Sequence, residues 1–253
     1  MSIRKYRDLT LIDLSDDKVL VIACDSCGAV GPKEGDVVKV PGYVVGRFTS
    51  RVALMEVLAA GAWPICVVDT LCVEPFPTGA DVQRGIIDEL RFLRVDPEAL
   101  LTGSTEKNIP TSQSGVGVTV IGIASKEQLR IGRLRAGDSL ALFGLPKVGT
   151  EVSLGDPEIA DLSTIMLLLS SNQVREIVPV GSRGIKAEAE TLALLNDLEL
   201  VWYGISDEVD LYKSAGPATC LLAAGEEATL KVLGEKAKKP FLLLGNLIPN
   251  SKV

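Results

Sequence analysis

The sequence predicts an α+β chain of two units, on three observations. Short β-branched and apolar runs alternate with longer segments of helical period through the first half of the chain. The stretch "RLRAGDSLALFGLPKVG" (133–149) gathers turn residues and reads as a hinge. At 253 residues, 47% hydrophobic and 23% charged, the chain is long enough for two cores of ordinary globular composition. The expected division is 1–132 and 133–253.

In order, "LTLIDL" (9–14) and "KVLVIA" (18–23) flank a turn at Ser15, Asp16 and Asp17 and read as an antiparallel hairpin. "GDVVKV" adds a short strand before Pro41 and Gly42. From Val44 to Ala60 the pattern is helical, with Phe48, Val52, Met55 and Ala59 on one face and Gly61 as the stop. "WPICVVDTLCV" is a buried strand, "GADVQRGIIDELRFLR" a helix with Val82, Ile86, Leu90 and Leu93 inward, and "GVGVTVIGIA" another strand. In the second unit helices are expected near 156–170 and 183–196, and strands near 199–203, 218–223 and 240–244.

A net charge of −7 with interspersed signs argues against a nucleic-acid or membrane-surface partner. The cluster Lys236, Lys238 and Lys239 reads as a solvated helix end. With no apolar run of membrane-spanning length, a cytoplasmic protein is expected. Five cysteines without regular spacing fit reduced thiols. There is no histidine. That removes Ser-His and Cys-His nucleophiles, His-ligated zinc and imidazole bases, and leaves carboxylates with hard metal ions, or no chemistry.

The segment "IACDSCGAVGPKEGD" (22–36) closes a strand with a C-x-x-C pair, an aspartate, three glycines and a lysine. Cys66, Cys72 and Cys220 are wrongly spaced to complete a zinc site with Cys24 and Cys27, and small core thiols are the competing reading. Asp25 is then either a turn residue or a site residue. Glu56 stands about 80° from Phe48 on the helical wheel and flanks the apolar stripe. Asp69 interrupts an apolar strand. Such carboxylates need a cation or a donor beside them, and a magnesium site would require this set.

Two further features fit phosphate. "TGSTEKN" (102–108) offers backbone amides near Gly103, the hydroxyls of Thr102, Ser104 and Thr105, the Glu106 carboxylate and the Asn108 amide, or it is a polar turn. Gly46, Thr49 and Ser50 in a first helical turn offer amide donors, or a cap. Walker and dinucleotide-binding glycine patterns are absent.

The order "VIACDSCG", "VGRFTSRVALMEVLAAGAWP", "VVDT" and "TGSTEKN" resembles the ATP-binding half of the aminoimidazole ribonucleotide synthetase (PurM-like) superfamily, over residues 8–125. Beyond that, "AGDSLALFG", "VGSRGIKAEAETLALL" and "SAGPATCLLAAG" are similar in layout to its second domain. Asp25 matches the family's strand-end aspartate. Glu56 matches the acid before Gly-Ala-x-Pro, and Ser104 and Thr105 match the G-G-[DE]-T turn. Glu56 replaces the usual aspartate, and Glu106 stands one position beyond the missing turn acid. Among small, histidine-poor members, "CDSCGAVGPKEGD", "VGRFTSRVALMEVLAAGA", "VEPFPTG" and "TGSTEKN" are most similar to α-ribazole kinase (CblS).

The resemblance implies a two-domain PurM-like architecture, with an N-terminal mixed sheet that forms a barrel in a homodimer and a C-terminal α/β domain. It implies an ATP-dependent kinase with Asp25, Glu56, Asp69 and Glu106 holding Mg²⁺. Lys33 would stand at the γ-phosphate, and Gly46, Thr49, Gly103, Ser104, Thr105 and Asn108 at the nucleotide. Asp36 or Glu34 would be the base, if one is used, and a small-molecule nucleoside the acceptor. Other readings are a kinase for thiamine monophosphate, with Arg47, Arg51 and Arg183 for the substrate phosphate, and a non-catalytic nucleotide-binding scaffold.

Overall fold

A computed structural model describes residues 2–204 and 209–250. The chain divides into two compact units, residues 1–58 with 62–129, and residues 59–61 with 130–253.

The first unit is built on strands β1 (Ile3–Tyr6), β2 (Leu9–Asp13) and β3 (Lys18–Gly28), followed by the two-residue strands β4 (Val30–Gly31) and β5 (Val38–Lys39). Helix α1 (Gly42–Ala59), β6 (Trp63–Leu71), helix α2 (Ala80–Leu90), the short helix α3 (Pro97–Leu100), β7 (Leu101–Thr105) and β8 (Gly115–Ser125) complete it. The six-stranded sheet runs β1-β2-β3-β8-β6-β7, antiparallel except for the parallel pair β6/β7, and is therefore mixed. The predicted hairpin is β2/β3, with Thr10 opposite Ile22.

Alternation along β3 and β8 assigns the faces. Val19, Val21 and Ala23, with Val116, Val118 and Val120, are buried on the helix side, while Leu20, Ile22, Ile121 and Ile123 on the other face are only half-buried. Helix α1 is buried almost all round rather than along one stripe. A Cβ on Gly122 would come 2.4 Å from Val57 Cγ1, which measures how closely α1 lies on β8. On its other side, a Cβ on Gly46 would come 2.0 Å from the Val82 carbonyl and one on Gly85 2.2 Å from that of Tyr43. Two glycines thus let α1 and α2 cross backbone to backbone. Gly61, at φ 82, ends α1 in the left-handed conformation expected of a helix stop.

The second unit comprises β9 (Ser139–Phe143), α4 (Leu162–Leu169), β10 (Val174–Pro179), α5 (Gly184–Leu194), β11 (Leu198–Trp202), β12 (Leu221–Gly225), α6 (Glu227–Ala237) and β13 (Phe241–Pro249). Its sheet is antiparallel, ordered β10-β12-β9-β13-β11. Leu140, Leu142, Leu222 and Ala224 form a core with Ile185, Ala189 and Leu192 of α5. The opposite face packs Phe143 edge-on against Phe241 at 5.1 Å, beneath Gly234 of α6. The segment read as a hinge therefore contains β9, the central strand, because "SLALF" is buried on both faces. Strands β1, β7 and β10 had no counterpart in the expected pattern, and of helix α6 only its end was expected, at Lys236 and Lys238, which are exposed there.

Candidate functional site

Register across the first sheet places two of the expected acids in one row. Asp25 of β3 pairs with Val118 of β8, and Val118 pairs in turn with Asp69 of β6, so both carboxylates face the helix side. Two inter-strand spacings separate their Cα atoms, about 10 Å. That distance suits ions each held by one carboxylate and completed by phosphate oxygens and water, which is how magnesium is commonly bound.

Among the described residues neither carboxylate has a cationic side chain as its partner. Burial raises the Asp25 carboxyl from 3.8 to about 6, with only the Ser26 amide opposing. Asp69 is fully buried; burial raises its pKa too, against the Gln83 side chain and the Ser104 amide. Gln83 Nε2 donates to Oδ2 at 3.0 Å, while Oδ1 is buried without a partner. A Cβ on Gly103, opposite Asp69 on β7, would come 1.7 Å from Oδ1, so only glycine leaves room for this carboxylate.

The other two expected metal ligands are occupied elsewhere. Glu56 Oε2 lies 3.7 Å from Arg7 Nη1, both side chains being largely buried. Glu106 Oε1 accepts the amides of Asn108 and Ile109 at 2.7 and 3.1 Å, which holds its carboxyl below the usual range and closes its own turn. Among the described residues no group of three or more acids or cysteines could hold a metal ion, so the four carboxylates do not form one cage.

The glycine-rich segment is clasped by its own charges. Asp36 Oδ1 accepts the Ser114 amide at 2.6 Å, and Oδ2 accepts the Ser114 hydroxyl and the Lys33 amide, each at 2.8 Å. These donors outweigh burial and keep Asp36 below the usual carboxyl range. Its lone pairs are spent on the loop, the opposite of what a base needs. Lys33 Nζ lies 2.5 Å from Glu74 Oε2 and donates to the Thr111 carbonyl at 3.0 Å. The ammonium expected at a γ-phosphate is thus neutralised by Glu74. Burial pushes the Glu74 carboxyl up, but Lys33 and the Thr78 hydroxyl bring it down to about 2. Glu34 is exposed.

Helix α1 begins at Gly42, not at Val44, so Gly46 and Thr49 stand in its second and third turns. There the Gly46 amide belongs to the intrahelical ladder and the residue serves the crossing with α2. Buried Thr49 hydrogen-bonds Cys27, whose thiol burial and the neighbouring Asp25 push up. Cys24 and Cys27 fall on opposite faces of β3, which prevents a shared ion. "TGST" is edge strand β7 rather than a turn; Gly103 and Ser104 are exposed on it, Thr105 is half-buried, and Asn108 is exposed beyond it.

Three arginines offered for a substrate phosphate are also paired. Arg47 and Arg51 bind buried Glu89 at 2.6 and 2.7 Å, and Arg183 binds Glu188 at 3.1 Å. Glu74, Gln83 and Glu89 were not expected as site residues, although Glu74 lies in "VEPFPTG", has the form of a helix N-cap and accepts from the Thr78 amide.

Residues 6–124 match the family described as AIR synthase related protein, N-terminal domain. A search of curated proteins gives no match. Solved structures that the chain resembles include Thermotoga maritima PurL complexed with ADP, at 14% identity and TM-score 0.65. The match covers 94% of this chain but 41% of that one, so the chain spans about two fifths of the PurL length. AaThiL complexed with AMPPCP and TMP is 16% identical, with TM-score 0.64 over 96% of this chain and 84% of that one. Thiamine-monophosphate kinase from Stenotrophomonas maltophilia K279a is 16% identical, with TM-score 0.63 over 98% and 89%. No helix among the described residues is long and apolar enough to cross a membrane. Its mixed N-terminal sheet and second α/β unit give the chain a PurM-like fold, in keeping with the match of residues 6–124 to the AIR synthase related N-terminal domain.

Proposed function

We propose that the protein is a cytoplasmic, ATP- and Mg²⁺-dependent small-molecule kinase that phosphorylates α-ribazole. The observation that carries the reading is the row of Asp25 and Asp69, two buried or half-buried carboxylates on one sheet face with no cationic partner among the described residues. A carboxylate in that position is costly until a cation joins it. The residues therefore fit Mg²⁺, held by Asp25 and Asp69, which would supply charge neutralisation at the β- and γ-phosphates. In this reading the Ser104 hydroxyl, exposed on the neighbouring edge strand, donates to nucleotide oxygens, with exposed Asn108 beyond the strand.

In the reaction the acceptor hydroxyl oxygen forms a bond to the γ-phosphorus, the β–γ bridging bond breaks, and ADP leaves with the electron pair. The proton leaves to solvent, since a loose transition state places little demand on a base. The pairing of Arg47, Arg51 and Arg183 with buried acids supports an acceptor without a phosphate over thiamine monophosphate. The reading includes a homodimer through the open sheet face, supported by half-buried Leu20, Ile22, Ile121 and Ile123 beside exposed Trp63 and Ile65. The test is incubation with Mg-ATP and separate acceptors, with products read by mass spectrometry. Phosphorylation of α-ribazole and not thiamine monophosphate is expected; the reverse, or no ATP turnover with any nucleoside, refutes the reading.

A further inference from the structure

A cleft of about 570 Å³ opens in the first unit between the glycine-rich segment and the start of α2, a volume in the range of small-molecule sites. Ala80 and Arg84 of α2 line it, while Gln83 of the same helix turn binds Asp69. Neighbouring residues of α2 thus serve the cleft and the Asp69 carboxylate.

Its chemistry is specific. Phe76 lines it and is 80% exposed, a large apolar ring held out in solvent beside Pro32 and Pro77. Its two cations are already matched: Lys33 by Glu74 at 2.5 Å, and Arg84 by Asp81 at 2.5 Å. Arg84 also rests on the Tyr43 ring at 4.8 Å. The Thr78 hydroxyl is spent on Glu74. A phosphate brought here would meet no unmatched cation, whereas a flat neutral ring would find an aromatic face and proline walls.

From this we infer that the cleft seats the uncharged aromatic ring of the phosphoryl acceptor, stacked on Phe76, and so sets the specificity of the kinase proposed above, on which the inference rests. A purine ring of ATP is the competing occupant of the same chemistry. The triphosphate favours the acceptor, because the paired cleft offers its four negative charges nothing.

The test is calorimetric titration of the full chain with α-ribazole and, separately, with ATP, for the native protein, Phe76→Ala and Phe76→Trp. Phe76→Ala is expected to weaken α-ribazole binding about tenfold, within the range for loss of one base–aromatic stack, with ATP affinity held within about twofold and Phe76→Trp retaining both. Unchanged α-ribazole affinity in Phe76→Ala, an equal loss for ATP, or no binding of α-ribazole to the native protein overturns the inference. If α-ribazole binds through Phe76 but is never phosphorylated, the kinase reading alone fails. If it is phosphorylated equally by the native protein and Phe76→Ala, the cleft assignment alone fails.

Discussion

Asp25 turns the proposed cation site into a measurable stability cost. Its carboxyl is raised by burial from the ordinary 3.8 to about 6. At roughly 1.4 kcal/mol per pH unit, that gap corresponds to about 3 kcal/mol. The sign follows from proton linkage: between these two values the folded chain holds a proton that the unfolded chain has released. The contribution of Asp25 to stability is thus greatest below about pH 4, falls as pH rises through about 6, and stays low above it. Asp25→Asn removes the ionisable group, and in a metal-free buffer at about pH 7 the variant should be more stable than the native chain by as much as about 3 kcal/mol. At about pH 4 the two should converge. Urea unfolding followed by fluorescence checks this. The chain has two tryptophans, Trp63 in the first unit and Trp202 in the second, so a Trp202→Phe background reports the first unit alone. Adding Mg²⁺ should then stabilise the native chain and leave Asp25→Asn unmoved. A variant less stable than native at about pH 7, or a gap that does not close on acidification, refutes the argument that Asp25 is a desolvated carboxylate awaiting a cation.

Two further outcomes follow from packing. Gly46→Ala drives a methyl toward the Val82 carbonyl, and the forced separation of α1 and α2 should cost about 1–3 kcal/mol in urea unfolding, despite alanine's better helix propensity. Glu89→Gln leaves Arg51, 6% exposed, without its counter-charge beside Arg47. The loss should be about 3–5 kcal/mol, read as a lowered midpoint of the same Trp63 transition.

Much of the first unit was legible because its elements carry strong local patterns. The β2/β3 hairpin shows a turn between two apolar runs, and α2 with the turn after it shows four inward residues at helical spacing, all found buried. Elements with weak patterns escaped. Strand β7 is polar because it is the sheet edge, and "TGSTEKN" therefore read as a turn. Strand β9 is apolar on both faces, so its alternation vanished and the flanking glycines and prolines dominated the reading. The start of α1 was placed late because Pro41 and Gly42 read as breakers, yet proline just ahead of a helix is compatible with its first turn.

For the site, the residue types alone narrowed the chemistry: a chain without histidine and with acids set into apolar runs points to carboxylates and hard cations. Which acids share a face was beyond the linear pattern, since it depends on long-range register and on competing partners. Asp25 and Asp69, 44 positions apart in the chain, share a face because each pairs with Val118. Glu56 is drawn to Arg7, Glu106 to two amides of its own turn, and Lys33 to Glu74, a residue not expected in the site. Charge interactions fall off over a few ångströms, so only the folded neighbourhood decides whether a carboxylate is satisfied by the protein or left for a ligand.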